Sequence, residues 1–278
     1  MVDMSAHVPA FAVPREFAVK LATLDEILDV GNDGKQIAEA ILTGLHAHTC
    51  DSDYKRVAYL IFTKAFKTFQ AAQTLCRCGF GSDALSLCGT LFENVVDLLY
   101  MGRAPVQRPR RYIQYEQVEK YHQVRKLLAR KRLPKGRRKI YREYETSLYP
   151  QVKTVLKFFP PKKKGWSQKS LFERAREVKA DVAYQESYWI FCGHKHTLPM
   201  AAVGLTILDA SGQLDMTTGP NIKGVYHAAE QSSDLFLKLC KVFQETFGLS
   251  MLAKIQKCCD ELHQVSSSLI ASHPDICE

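Results

Sequence analysis

The chain reads as an all-α helical bundle with a projecting basic helical hairpin, and three features of its 278 residues predict this. Apolar residues recur three and four apart along most of the length, Gly and Pro clusters cut that pattern into helix-sized pieces, and a single short stretch carries a β-hairpin signal. Residues 1–14 form a loose tail ending in Pro14, and 15–278 are expected as one helical domain.

Phe17, Leu21, Leu24, Ile27 and Leu28 keep helical spacing over Arg15–Val30, and Gly31-Asn32-Asp33-Gly34 is the expected stop. A second helix covers Lys35–His48. Asp51-Ser52-Asp53 precede a third helix from Tyr54 to about Cys78, ended by Gly79 and Gly81. Ser82 is a candidate cap for the most apolar helix, Asp83–Met101, whose Leu85, Cys88, Phe92, Val95, Val96 and Leu99 predict a central position. Glu93 and Asp97 lie four apart on another of its faces.

After Pro105 and Pro109 an arm over residues 103–159 forms two helices, Arg110–Arg132 and Arg137–Phe159, joined at Leu133-Pro134-Lys135-Gly136. Pro150 should bend or split the second. A lysine-rich linker follows. Ser170 and Glu173 then make a capping box, in which each side chain satisfies a backbone donor left free at a helix start. Past Asp181, Tyr184, Tyr188 and Phe191 mark an aromatic helix that reaches Cys192 and His196 if Gly193 does not end it. Residues 205–208 and 213–216 flank Asp209-Ala210-Ser211-Gly212 as the small β-hairpin. The C-terminal helices occupy 221–266, as Asn221–Phe247 and Ser250–Ser266.

No run approaches eighteen uninterrupted apolar residues, and the N-terminus lacks a charged start followed by a hydrophobic stretch, so a cytoplasmic protein without a membrane segment is expected. Nine cysteines, an odd number without framework spacing, fit free thiols. There is no G-x-S-x-G, Walker loop or G-x-G-x-x-G, which argues against common hydrolases, P-loop NTPases and dinucleotide enzymes.

The net charge of +9 is concentrated. Arg103–Arg142 holds fifteen Lys or Arg against Glu116 and Glu119, a balance of +13, so the rest of the chain sums to −4. Arg110, Arg111, Arg125, Lys126, Arg130, Arg137 and Arg138 are interleaved with Tyr112, Tyr115, Tyr121, Tyr141 and Tyr144. Cations neutralise phosphates and tyrosines stack on exposed bases, so the pattern suits RNA or another nucleic acid. It equally suits a solvated hairpin whose charges only keep it soluble, or a site that docks an acidic protein partner.

His46-Ala47-His48-Thr49-Cys50 and Cys192-Gly193-His194-Lys195-His196 are near mirror images. His46 with Cys50 and Cys192 with His196 are i,i+4 pairs that two adjacent helices can bring together as a two-His, two-Cys set. Neither stretch has C-x-x-C spacing, and no metal or other cofactor is assigned.

Leu85–Glu93, then Trp166 with Phe172–Glu177, then Tyr188–His196 resemble a bacterial all-helical family of unknown function, a distant relation of the HEPN helical bundles. The resemblance spans about residues 50–200. It implies an acid on the central helix at Glu93 and a histidine ending the aromatic helix at His196. HEPN ribonucleases cleave RNA without metal, using an arginine upstream of that histidine; here Trp189 occupies that place, and Gly89 stands where another arginine is expected. The implied function is an intracellular RNA-binding protein, with toxin or phage-defence activity and a homodimeric site in view. If it cleaves, His196 is the acid–base group, Glu93 orients it and Arg174 contacts the phosphate. The alternatives are a Glu93–His196 pair that only locks two helices, and a non-enzymatic interaction module.

Overall fold

The computed structural model describes residues 15–45, 50–160, 165–196, 206–208, 214–216 and 219–274. In chain order the helices are α1 (Arg15–Ala22), α2 (Asp25–Gly44), α3 (Asp53–Arg77), α4 (Gly81–Gly102), α5 (Gln107–Leu128), α6 (Lys135–Val152), α7 (Leu171–Glu177), α8 (Asp181–Ala183) and α9 (Trp189–Lys195). Strands β1 (Thr206–Leu208) and β2 (Leu214–Met216) follow, then α10 (Val225–Phe247) and α11 (Leu252–Ser272). The all-α bundle is therefore present, and the small hairpin pairs antiparallel, Thr206 opposite Met216 and Leu208 opposite Leu214. The chain divides into two compact units, one of Met1–His48, Phe62–Val95 and Gln185–Glu278, the other of Thr49–Ile61 and Val96–Tyr184. Two of the four divisions fall within α3 and α4 and a third between Tyr184 and Gln185; none falls at the lysine-rich linker after α6.

In the first unit α2, α10 and α11 pack on one another. Against α10 lies an aromatic row from α3: Phe62 stacks on Phe243 at 4.2 Å between ring centroids, and Phe69 on Phe236 at 4.3 Å. All four rings are buried. Each such burial stabilises by about 1.5–3 kcal/mol, so this row is a principal contributor to the core.

Gly31–Gly34 does not stop a helix. α2 runs straight through it, and the chain breaks earlier, at Thr23-Leu24. Gly31 serves close packing instead: a Cβ there would lie 2.4 Å from the Gln73 side-chain oxygen, whereas one on Gly34 would make only ordinary contact with Phe69 and Leu237. Gln73 is buried there, donating to Ser232 and Ser233 of α10. The helix cost of Gly31, about 1 kcal/mol, is offset by that approach. The end regions also shift. α10 starts at Val225, because Asn221 is instead paired with Phe80 in an isolated bridge, and α11 extends to Ser272.

By length and composition α4 could span a bilayer, with a window of mean hydropathy 1.3, but 61% of that window is buried inside the protein. Its Cys88, Leu91, Phe92, Val96 and Leu98 are core residues, the central placement its apolarity predicts.

The second unit contains the arm. α5 and α6 pair through a core of Val118, Tyr121, Val124, Leu148, Val152 and Phe159. α5 begins at Gln107 rather than Arg110, with Pro109 accommodated in the first turn, where a helix leaves its N–H groups unpaired anyway. α6 likewise begins earlier than Arg137, at Lys135 directly after Pro134. It ends at Val152, two residues past Pro150, and a single 3₁₀ turn follows at Leu156–Phe158. The predicted capping box starts α7: the Ser170 hydroxyl accepts from the Glu173 N–H at 3.2 Å, and the Glu173 carboxylate accepts from the Ser170 N–H at 2.6 Å.

Candidate functional site

Two surfaces carry the residues singled out by sequence, one in each unit. In the second unit, the turn joining α5 to α6 sits inside a stretch, Lys120–Arg142, with Lys or Arg at eleven positions and no acid. Lys126, Arg130, Lys131, Arg132, Lys135, Arg137, Lys139 and Arg142 are exposed, and none of their side chains forms an ion pair or hydrogen bond with the described residues. Their mutual repulsion has no local relief, so anions are drawn to this end of the hairpin. Arg110 is exposed as well.

Not every predicted cation is available. Arg138 donates to the Leu128 and Arg130 carbonyls at 3.1 Å each, satisfying acceptors left open at the end of α5. Arg111 donates to the Phe158 carbonyl at 2.8 Å and lies over the Phe159 ring. Arg125 is exposed but stands 3.5 Å from Glu145.

Arg174 departs furthest from its expected role as a phosphate contact. It is nearly buried in the second unit, its Nε 2.7 Å from Asp97 Oδ1, with further bonds from Nη1 to Ser167 Oγ and the Lys169 carbonyl. Trp166 Nε1 donates to the other Asp97 oxygen at 3.3 Å, and the Trp166 ring packs edge-on against Tyr100 and Tyr112. Beside it Arg108 lies 3.7 Å from the Tyr100 ring centre and pairs with Glu177, which also accepts from Lys169 at 2.6 Å. The Lys169 and Arg108 bonds hold the Glu177 carboxyl below its usual range. This polar knot fixes Asp97 and Arg174 as a structural pair. The sequence marks Asp97 only as an acid four residues after Glu93; nothing local pairs it with a cation 77 positions on.

In the first unit, α9 lies along the N-terminal part of α4. The helix does continue through Gly193 to Lys195, preceded by a π-helical turn at Tyr184–Tyr188. Glu93 takes its hydrogen bond from Tyr188, whose hydroxyl is 2.7 Å from Oε1, and Lys195 stands 3.7 Å away. No hydrogen bond or ion pair joins Glu93 to His196, whose exposed side chain follows the end of α9. The orienting contact expected between them is thus replaced by one from Tyr188, a helical turn and more upstream. Burial, then bonding with Cys192 and Glu93, pushes the Tyr188 hydroxyl well above its ordinary pKa, keeping it a donor.

Gly89 lies on the same seam. A Cβ there would meet Phe191 Cβ at 3.3 Å and the Tyr188 ring at 3.9 Å, so the place where arginine is expected is where α9 comes against α4. Trp189 is exposed. Sequence reasoning missed the pair at the other end of the seam. Ser82, expected as a cap, shares a 2.7 Å hydrogen bond with His194 Nδ1. Burial lowers the His194 pKa, against an opposing influence from Asp83.

Among the described residues no cluster of three or more His, Cys, Asp or Glu side chains is placed to hold a metal. His46, one of the four residues of that two-His, two-Cys set, lies outside the described residues.

A model of the family of unknown function DUF5677 matches residues 55–213, more than half of the chain, from α3 through β1. It takes in both surfaces. No curated protein and no solved structure matches.

Proposed function

The chain belongs to the DUF5677 family, a family of unknown function, and from that premise we propose that it is an intracellular, HEPN-like protein that binds nucleic acid, RNA in the first instance, through the turn end of the α5–α6 hairpin. The observation that carries this reading is the row of eight exposed cations from Lys126 to Arg142 without acids or internal partners. A helical hairpin with its own small core holds them together, so ligand charge is met without first ordering a loop.

Cleavage makes a separate demand: an imidazole must exchange a proton while a cation meets the charge developing on phosphorus. Arg174 is committed to Asp97, and Glu93 to Tyr188, so binding is the activity proposed and cleavage is left to its test.

Fluorescence anisotropy with labelled RNA, titrated between about 0.05 and 0.2 M salt, is the direct experiment. If about four phosphates are neutralised, log K falls against log salt with a slope near −3 on a single strand. Replacing Arg130, Lys131 and Arg132 together by Gln should flatten that slope by about 2. Absence of RNA binding at low salt, or tighter binding to an acidic polypeptide than to RNA, overturns the proposal in favour of a protein-docking module. Should RNA be degraded at a rate that collapses in His196→Ala, cleavage is restored to the reading.

A further inference from the structure

Of the six tyrosines in the basic arm, four are taken up by the fold. Tyr112 packs edge-on against Trp166 at 5.3 Å, and Tyr115 packs on Phe159 while its hydroxyl accepts from the Gly165 N–H. Tyr121 is buried in the hairpin core, and Tyr141 packs against that core. Tyr149 is 50% exposed but has the Tyr121 ring 6.0 Å away; Tyr144 is 44% exposed, and four residues before it on the same helix face Ile140 is 62% exposed. Two large apolar side chains adjoining in water gain nothing from the hairpin that carries them. Arg137 stands one turn before Ile140 on that face, exposed and without a partner among the described residues, whereas Lys120 of α5 is held by Glu116 at 2.6 Å.

We infer that the Ile140–Tyr144 face of α6 is a stacking platform for unpaired bases, so that the hairpin selects single-stranded nucleic acid over duplex. The inference rests on the nucleic-acid reading above and adds what the ligand must look like. A cation row alone recognises any polyphosphate, paired or not. An exposed ring beside it distinguishes the two, because a base in a duplex is already stacked on both faces and presents only its edges in the grooves. In a single strand the phosphates can run along Arg137 and the other exposed cations of the turn end while a base turns onto Tyr144, with Ile140 covering its rim. The acidic-peptide alternative fits this face less well, since a peptide carboxylate satisfies the cations but leaves the ring without a planar partner.

The test uses the full chain, a single-stranded RNA of about 16 nucleotides, and the matching blunt duplex. The unaltered protein should prefer the single strand. Tyr144→Ala should weaken single-strand binding about tenfold, leave duplex binding and the salt slope unchanged, and Tyr144→Phe should restore the loss. Tyr144→Leu, which keeps apolar bulk without the ring, should behave like Tyr144→Ala and replaces it should the alanine variant not fold. Equal affinity for the two ligands, or equal loss on both, overturns the platform while leaving nucleic-acid binding in place. Failure to bind either ligand at low salt removes the underlying reading instead.

Discussion

Arg174→Ala separates a structural cation from a ligand-binding one. The Arg174 and Asp97 side chains are only 13% and 17% exposed, so truncating Arg174 removes the cation facing a carboxylate that has little access to water and keeps the Trp166 bond. It also removes the donor to Ser167 Oγ and to the Lys169 carbonyl. Breaking a buried pair in this way costs about 3–5 kcal/mol, against at most about 1 kcal/mol for an exposed pair. At roughly 2–4 °C per kcal/mol, the melting temperature should fall by about 6–20 °C. Tryptophan fluorescence during urea or thermal unfolding is a suitable assay, because Trp166 shares Asp97 with Arg174 and reports on the site itself. Arg174→Lys should recover part of the loss by keeping the charge without the planar fork. Below the melting transition, RNA affinity should be unchanged. A variant that melts with the unaltered protein yet loses RNA affinity would refute the reasoning and return Arg174 to the role of phosphate contact.

Gly89→Arg should destabilise by about 1–3 kcal/mol, since the new side chain must force α9 off α4 at Phe191; unfolding free energy from urea titration checks this, and an unchanged value would mean the seam opens freely. For pH, burial lowers the folded-state pKa of His194 below its ordinary 6.5, so the unfolded chain takes up the proton first. The stability this group supports is complete above about pH 6.5 and is lost as pH falls through the lower, folded value. Unfolding free energies between about pH 5 and 7.5 should therefore decline on the acid side, and the decline should shrink in His194→Gln; an identical profile in that variant would sink the assignment.

Much of the architecture was legible because its signals are local. The capping box at Ser170 and Glu173 states a helix start within four residues, and Pro134 states the break before α6. The site was legible only in its charge. Gly31 reads as part of a stop until Gln73 is seen against it, and Ser82 reads as a cap until His194 is beside it.

From residue order alone came the helical class, the concentration of cations on one hairpin and the apolarity of α4, since each depends on neighbours within a turn or two. Folding decided which cations remain free: Arg138 closes the end of α5, Arg174 answers Asp97, and Arg130 faces water. A charge is neutralised by whatever lies within a few ångströms, and distance along the chain carries almost no information about that.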